Sequence, residues 1–261
     1  MKKSAHHDRP FLVEVTLRRD KISSWEEYPF NLPVVRNLHK LCFARGVTFV
    51  VGENGTGKST LLEAVAVGLG FNPEGGSRNF RFSTRASHSQ LSQYLVLSRS
   101  ARRLRDGFFF RAESYFNVAT QIESLDRAAE EAGGRGVPII NAYGGRSLHE
   151  QSHGESFLAL FGNRLGGDAL YIVDEPEAAL SPTRQLSLLA MLHELVKKGT
   201  QFIVATHSPI LMAYPESRIY VLLEDKIEEV EYTQTEHYSM TKAFLNDHRV
   251  MLKRILGDDA V

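Results

Sequence analysis

Val50–Val65 reads VVGENGTGKSTLLEAV, and the stretch around it decides how the chain is built. Upstream, Val47–Val51 is a run of Val, Thr and Phe, the composition of a strand buried on both faces. Three glycines then fall within six positions, and Lys58, Ser59 and Thr60 open a run of helix formers. That run reaches Leu69 and meets Gly70, with Pro73 beyond, a stop signal for a helix. Strand, glycine turn and helix in this order place Gly52, Asn54, Gly55 and Gly57 at the mouth of a helix. Glycine lets consecutive N–H groups curl around an anion without Cβ clashes, and the helix dipole turns its positive end to the same anion.

The spacing Gly52-x-x-x-x-Gly57-Lys58-Ser59 matches the P-loop pattern, here in its confirming strand-to-helix context. It predicts a polyphosphate site, with ATP and Mg²⁺ as the expected ligands. Lys58 reaches the β and γ phosphates, Ser59 offers its hydroxyl to Mg²⁺, and Thr60 stays near the α-phosphate. Downstream, ALYIVDEPEAALSP (Ala169–Pro182) is a buried strand ending in two acids. Asp174 suits Mg²⁺ held through water, and Glu175 suits polarising a water for attack on the γ-phosphate. FIVATHSP (Phe202–Pro209) is a further buried strand whose end carries His207, placed to contact the γ-phosphate or orient that water. QSHGESF (Gln151–Phe157) puts Ser152, Gly154 and Glu155 at another helix start suited to an anion.

P-loop, Ser-x-Gly-Glu, apolar-Asp-Glu-Pro and Thr-His-Ser, in that order, resemble the ABC-type ATPases. The likeness is greatest to their soluble branch: chromosome-maintenance, RecF- and OLD-like proteins and stand-alone bacterial AAA-family ATPases. The resemblance implies an ATP-dependent homodimer in which each P-loop faces the partner's Ser-x-Gly. Ser152, Gly154 and Glu155 would then serve the nucleotide, Glu175 would be the hydrolytic glutamate, and His207 the switch histidine. Ala178–Ser181 would cross the seam. Two departures stand out: the signature is Gln151-Ser152-His153-Gly154-Glu155, and Ser181 stands where the family's seam loop ends in aspartate. The family's magnesium-sensing glutamine has no clear counterpart; Glu113, after the strand Gly107–Ala112, is the substitute, ahead of Gln90 and Gln93.

Around these motifs the pattern predicts one α/β domain over 1–261. It is an ABC-ATPase-like head with a mostly parallel central sheet, N-terminal antiparallel strands and an inserted helical lid at about 71–151. Strands are expected at Phe11–Arg19, Leu41–Phe43, Ala169–Val173 and Gln201–Ala205, and as a hairpin across Glu224-Asp225. Helices are expected at Ser89–Arg105, Ser114–Glu131, Phe157–Leu165, Pro182–Lys198 and Tyr238–Leu256. Phe108–Phe110 read as core. Tyr28 or Phe30, upstream of the P-loop, offers a face for adenine.

Composition sets the outer bounds. The 261 residues carry 31 basic and 31 acidic side chains, so no global field draws the chain to nucleic acid or membrane. A single cysteine excludes an internal disulfide and a cysteine-cluster zinc site. No stretch reads as a signal peptide or a transmembrane helix, so a cytoplasmic protein without membrane insertion is expected. The neutral total hides an arginine-rich segment: Arg78, Arg81, Arg85, Arg99, Arg102, Arg103, Arg105 and Arg111 face only Asp106. It reads as a solvated face, a dock for a protein partner, or a strip for DNA phosphates. Charge reversal at Arg102 and Arg103 tests the last reading. The alternatives to a partner-driving ATPase are a transporter's ATP-binding subunit and a nucleotide-gated module with little turnover.

Overall fold

β1 (Leu12–Leu17), a short helix α1 (Pro33–Asn37) and β2 (Lys40–Cys42) lead into β3 (Val47–Gly52), all six of whose residues are buried. α2 (Lys58–Gly68) follows the glycine turn. Then come β4 (Gly76–Ser77), β5 (Leu95–Arg99), β6 (Asp106–Arg111), α3 (Tyr115–Glu131) and α4 (His153–Asn163). β7 (Ala169–Asp174), α5 (Pro182–Lys197), β8 (Gln201–Ala205) and α6 (Pro209–Met212) continue the alternation. β9 (Arg218–Leu222), β10 (Ile227–Val230), α7 (Glu236–Asn246) and α8 (His248–Leu256) complete it. The structure is a computed structural model that describes residues 9–73, 75–77, 89–111, 115–133, 137–143, 145 and 153–257.

Among the described residues the central sheet runs β10-β9-β3-β8-β7-β6-β4. Its four inner pairings are parallel, and only the edge strands β10 and β4 run antiparallel. A second sheet, β2-β1-β5, is antiparallel throughout. Successive residues of the inner strands serve opposite faces, as a pleat requires. Phe49, Phe108, Phe110, Tyr171 and Phe202 pack against α4 and α5 through Phe157, Phe161, Leu188 and Leu192. Val50, Phe109, Ile172 and Ile203 pack against α2 and the second sheet through Leu61, Leu62, Val15 and Leu12. Burial on both sides explains why these strands read as unbroken apolar runs. The buried Gln201 stitches the two sheets: it accepts from Leu12 N at 3.0 Å and donates to Leu12 O at 2.9 Å.

The parallel β–α order puts the carboxyl ends of β3, β6, β7 and β8 on one rim, where ligands of open α/β sheets bind. Several expectations change. Ser89–Arg105 is not a helix: one 3-10 turn precedes β5, which pairs with β1 in the register Val15↔Leu97. Leu and Arg favour helix locally, but pairing with β1 and the burial of Leu95 override that preference. The insertion between Lys58 and Ser152 is therefore not a helical lid alone; it lends β5 to one sheet and β4 and β6 to the other, with α3 as its long helix. The C-terminal helix is two helices. Asp247, at φ −150° and ψ 66°, breaks it and caps α8 by accepting from Val250 N at 3.2 Å. Phe108–Phe110 are core, as read.

Candidate functional site

Gly57, at φ 96°, turns the chain into α2, and a Cβ there would lie 2.5 Å from Val34 Cγ1. At Gly52, φ 152°, a Cβ would meet Leu222 O at 2.7 Å. Only glycine fits both places. No side chain caps the start of α2, so its first-turn N–H groups face the loop. The Lys58 side chain is buried along this loop, and its ammonium donates to Gly52 O at 2.8 Å and Glu53 O at 3.0 Å. Burial pulls its pKa below the ordinary lysine value, opposed by the carboxylates of Glu175, Asp174, Glu53 and Glu177. A polyphosphate would satisfy both the lysine and the loop amides.

Across the rim from α2, Ser59 Oγ donates to Asp174 Oδ1 at 3.2 Å. A hydroxyl and a carboxylate side by side are hard oxygen donors of the kind Mg²⁺ takes when phosphates and water complete its shell. Among the described residues no group of three or more His, Cys, Asp or Glu could hold a metal. Glu113, Ser152 and Gln151 lie outside the described residues. Arg111, the last residue of β6, stands in register with Asp174. Its Nη1 pairs with Glu63 Oε2 at 2.8 Å, and its Nε lies 3.8 Å from Asp174 Oδ2. Gln90 and Gln93 are exposed on the turn before β5.

Glu175 follows Asp174 with a left-handed backbone, φ 50° and ψ 55°, a conformation that costs a non-glycine residue of order 1–2 kcal/mol. Its Oε1 lies 3.7 Å from His207 Nε2. Glu177, two residues on, braces the end of β8: Thr206 Oγ1 donates to its carboxylate at 2.7 Å, and His207 N donates to the other oxygen. Burial raises the Glu177 pKa, against those hydrogen bonds. His207 Nδ1 lies 3.3 Å from Nε2 of His237, near the start of α7. Burial lowers the pKa of both imidazoles, with Lys58 adding to the effect at His207. Two buried side-chain nitrogens among the described residues lack a hydrogen-bond partner, Arg111 Nε and His207 Nε2, and both belong to this rim. Unpaired buried polar groups are costly, and a ligand, ion or water at this rim would satisfy them.

The structure thus brings together Gly52, Asn54, Gly55, Gly57, Lys58, Ser59, Thr60, Asp174, Glu175 and His207. Gly154 is set apart: it is buried within its own chain, and a Cβ there would meet Arg184 Nη1 at 2.4 Å and Ala179 O at 2.8 Å. Arg184 reaches on to Glu155 at 3.2 Å. Of the two upstream aromatics, Phe30 is core, edge-on to Tyr94. Tyr28 is 63% exposed, with its hydroxyl 3.5 Å from Thr60 Oγ1. The arginine run is no open strip. The Arg102 side chain is 5% exposed, bound to Asp168 at 3.2 Å and to Gly199 O at 3.0 Å, so a charge reversal there would unfold a structural contact rather than probe DNA. Arg78, Arg81 and Arg85 lie outside the described residues. Sequence reading counted Arg111 only within the arginine-rich segment and passed over Glu63, Glu177 and His237; of these, only Glu177, inside the acidic run DEPE, carried a signal.

The fold and rim define a P-loop nucleotide hydrolase. A family model described as "AAA domain" matches residues 29–132, and a second, "AAA domain, putative AbiEii toxin, Type IV TA system", matches 87–213. The "Putative ABC transporter ATP-binding protein" of Pyrococcus furiosus is 26% identical over 215 residues, covering 78% of this chain and 79% of that one. The cobalt import ATP-binding protein CbiO of Salmonella typhimurium is 26% identical over 217 residues, covering 78% and 76%. Among solved structures, a nucleotide-free ATP-binding cassette from an ABC transporter superposes with a TM-score of 0.51 at 17% identity, covering 92% of this chain and 97% of that one. The chain is thus similar to ATP-binding proteins of ABC transporters and to AAA-domain proteins, and its fold is that of an ATP-binding cassette. No helix among the described residues is long and apolar enough to cross a membrane.

Proposed function

We propose that the protein binds ATP with Mg²⁺ at the rim formed by β3, β6, β7 and β8, and that its ATP-closed homodimer drives a conformational change in a partner. The carrying observation is the convergence of Lys58, Ser59, Asp174, Glu175 and His207 from three separate segments of sequence on one rim. Lys58 and the loop amides hold the phosphates, and Ser59 with Asp174 holds the metal. Bound there, Mg²⁺ offsets charge on the β and γ phosphates. Glu175 sets the attacking water, with His207 beside it. Tyr28 offers its exposed ring to adenine. Closure is a shift in population: ATP must favour the closed dimer over the open heads.

Gly154 is covered by Arg184, so Arg184 must swing aside before a partner's phosphates can reach the signature segment. Among the described arginines of that segment, Arg99, Arg103 and Arg105 are exposed and could meet DNA. The names of the relatives favour a second reading, an ATP-binding subunit of a transporter. Glu175→Gln separates the outcomes. A motor of the first kind loses turnover and elutes as a dimer with ATP. A transporter subunit does so only with a co-purifying membrane protein. A module with little turnover shows no change, which overturns the hydrolytic reading.

A further inference from the structure

His207 meets His237 through its outer ring nitrogen, Nδ1, while its inner nitrogen, Nε2, faces Glu175 and has no hydrogen-bond partner. The ring centroids are 5.5 Å apart at 49°, so the contact is nitrogen to nitrogen and not a stack. In a neutral imidazole one nitrogen donates and the other accepts, and the partner of one nitrogen decides the state of the other. When His237 Nε2–H donates, His207 Nδ1 accepts and Nε2 must carry the proton. That proton then points into the gap shared with Glu175, where it can meet a γ-phosphate oxygen or the hydrolytic water.

Resting on the ATPase reading above, we propose that His237 is a positioning residue for hydrolysis: it selects the ring orientation and the Nε2–H tautomer of His207, and so makes turnover depend on the seating of α7. α7 is suited to such a role because it is lightly held. It buries no residue of its own, and Thr235 anchors its start by accepting from Tyr238 N at 3.3 Å and donating to Tyr232 O at 2.8 Å. A helix that rests on the surface and meets His207 through the His237 ring can transmit its own displacement to the catalytic histidine.

The test is a series at 237 in the full chain. His237→Phe keeps a ring and removes the hydrogen bond; His237→Gln puts an amide nitrogen where Nε2 stood. The Phe variant is expected to lower kcat for ATP about 10-fold with KM changed less than about 2-fold, and Gln to restore kcat to within about 3-fold of wild type. Histidine ring ¹⁵N spectra, with the His207 signal assigned by its loss in His207→Gln, should show Nε2-protonated His207 in wild type and in His237→Gln, and a tautomer mixture in His237→Phe. The proposal is overturned if Phe leaves kcat within 2-fold, if Gln is as slow as Phe, if both variants merely melt lower, or if the His207 signal does not move. The spectra need no turnover. Failure of the nucleotide reading, seen as ATP binding that survives Lys58→Ala, is therefore distinct from failure of this one.

Discussion

The two ends of the central strands treat their charges in opposite ways. At the amino ends, the charges are matched. Arg102 lies between Asp168, Gly199 O and Arg9 O, over the ring of Phe11 at 4.0 Å. Arg164 grips Asp106 with two nitrogens, at 2.6 and 3.1 Å, and the Tyr171 hydroxyl donates to the same carboxylate at 3.2 Å. At the carboxyl ends, Lys58 and Arg111 face Glu53, Glu63, Asp174, Glu175 and Glu177, and two buried nitrogens are left without partners. A closed network holds structure together. The other, with five carboxylates against two cations, leaves charge and two unpaired nitrogens for a ligand to satisfy.

Substitutions should keep these two ends apart. The largest effect is expected from Glu175→Gln, a drop in kcat of about 10² to 10⁴ with ATP affinity retained, read by single-turnover kinetics beside equilibrium binding. Lys58→Ala should weaken Mg²⁺-dependent ATP binding about 100-fold in calorimetry, the worth of two charge-assisted hydrogen bonds, while the urea midpoint stays near wild type. At the other end, Arg102→Met should cost about 3 kcal/mol in urea unfolding and leave kcat within about 2-fold. Should Arg102→Met abolish turnover in folded protein, or Lys58→Ala unfold the chain, the division fails. Arg103→Glu, one residue along and exposed, should move stability by less than about 0.5 kcal/mol.

A further effect concerns pH. His207 and His237 both have pKa values below the ordinary 6.5 in the folded chain. As pH falls below 6.5 the unfolded chain takes up protons that the folded chain refuses, so stability drops on acidification through that window. The melting temperature should fall by a few degrees between pH 7.5 and 5.5, and His237→Gln should flatten the slope. Glu177 works with the opposite sign, because its raised pKa means that the folded chain binds the extra proton above 4.5. A Glu177→Gln background removes that contribution.

Much of this rim was legible in the linear chain because each motif is local. A strand tip, a glycine turn and a helix mouth lie within a dozen residues, so their chemistry travels with their spacing. The break at Asp247 was legible in the same way and was passed over: Asn246-Asp247 is a cap signal inside a helical pattern. Arg111 and His237 were not legible. The first acts through the β6–β7 register and the second through a helix 30 residues beyond the ring it touches.

The sequence by itself determined that this chain has a phosphate loop, a strand-end acidic pair and a buried parallel sheet, because glycine geometry, apolar runs and acid spacing are properties of neighbours. The tertiary structure decided which charges are free to act. It buried Arg102 in a matched pair, covered Gly154 with Arg184, made Leu95–Arg99 a strand, and set His237 against His207. Pairing and burial are relations between segments far apart in the chain, and electrostatic strength depends on both; no local pattern carries that information.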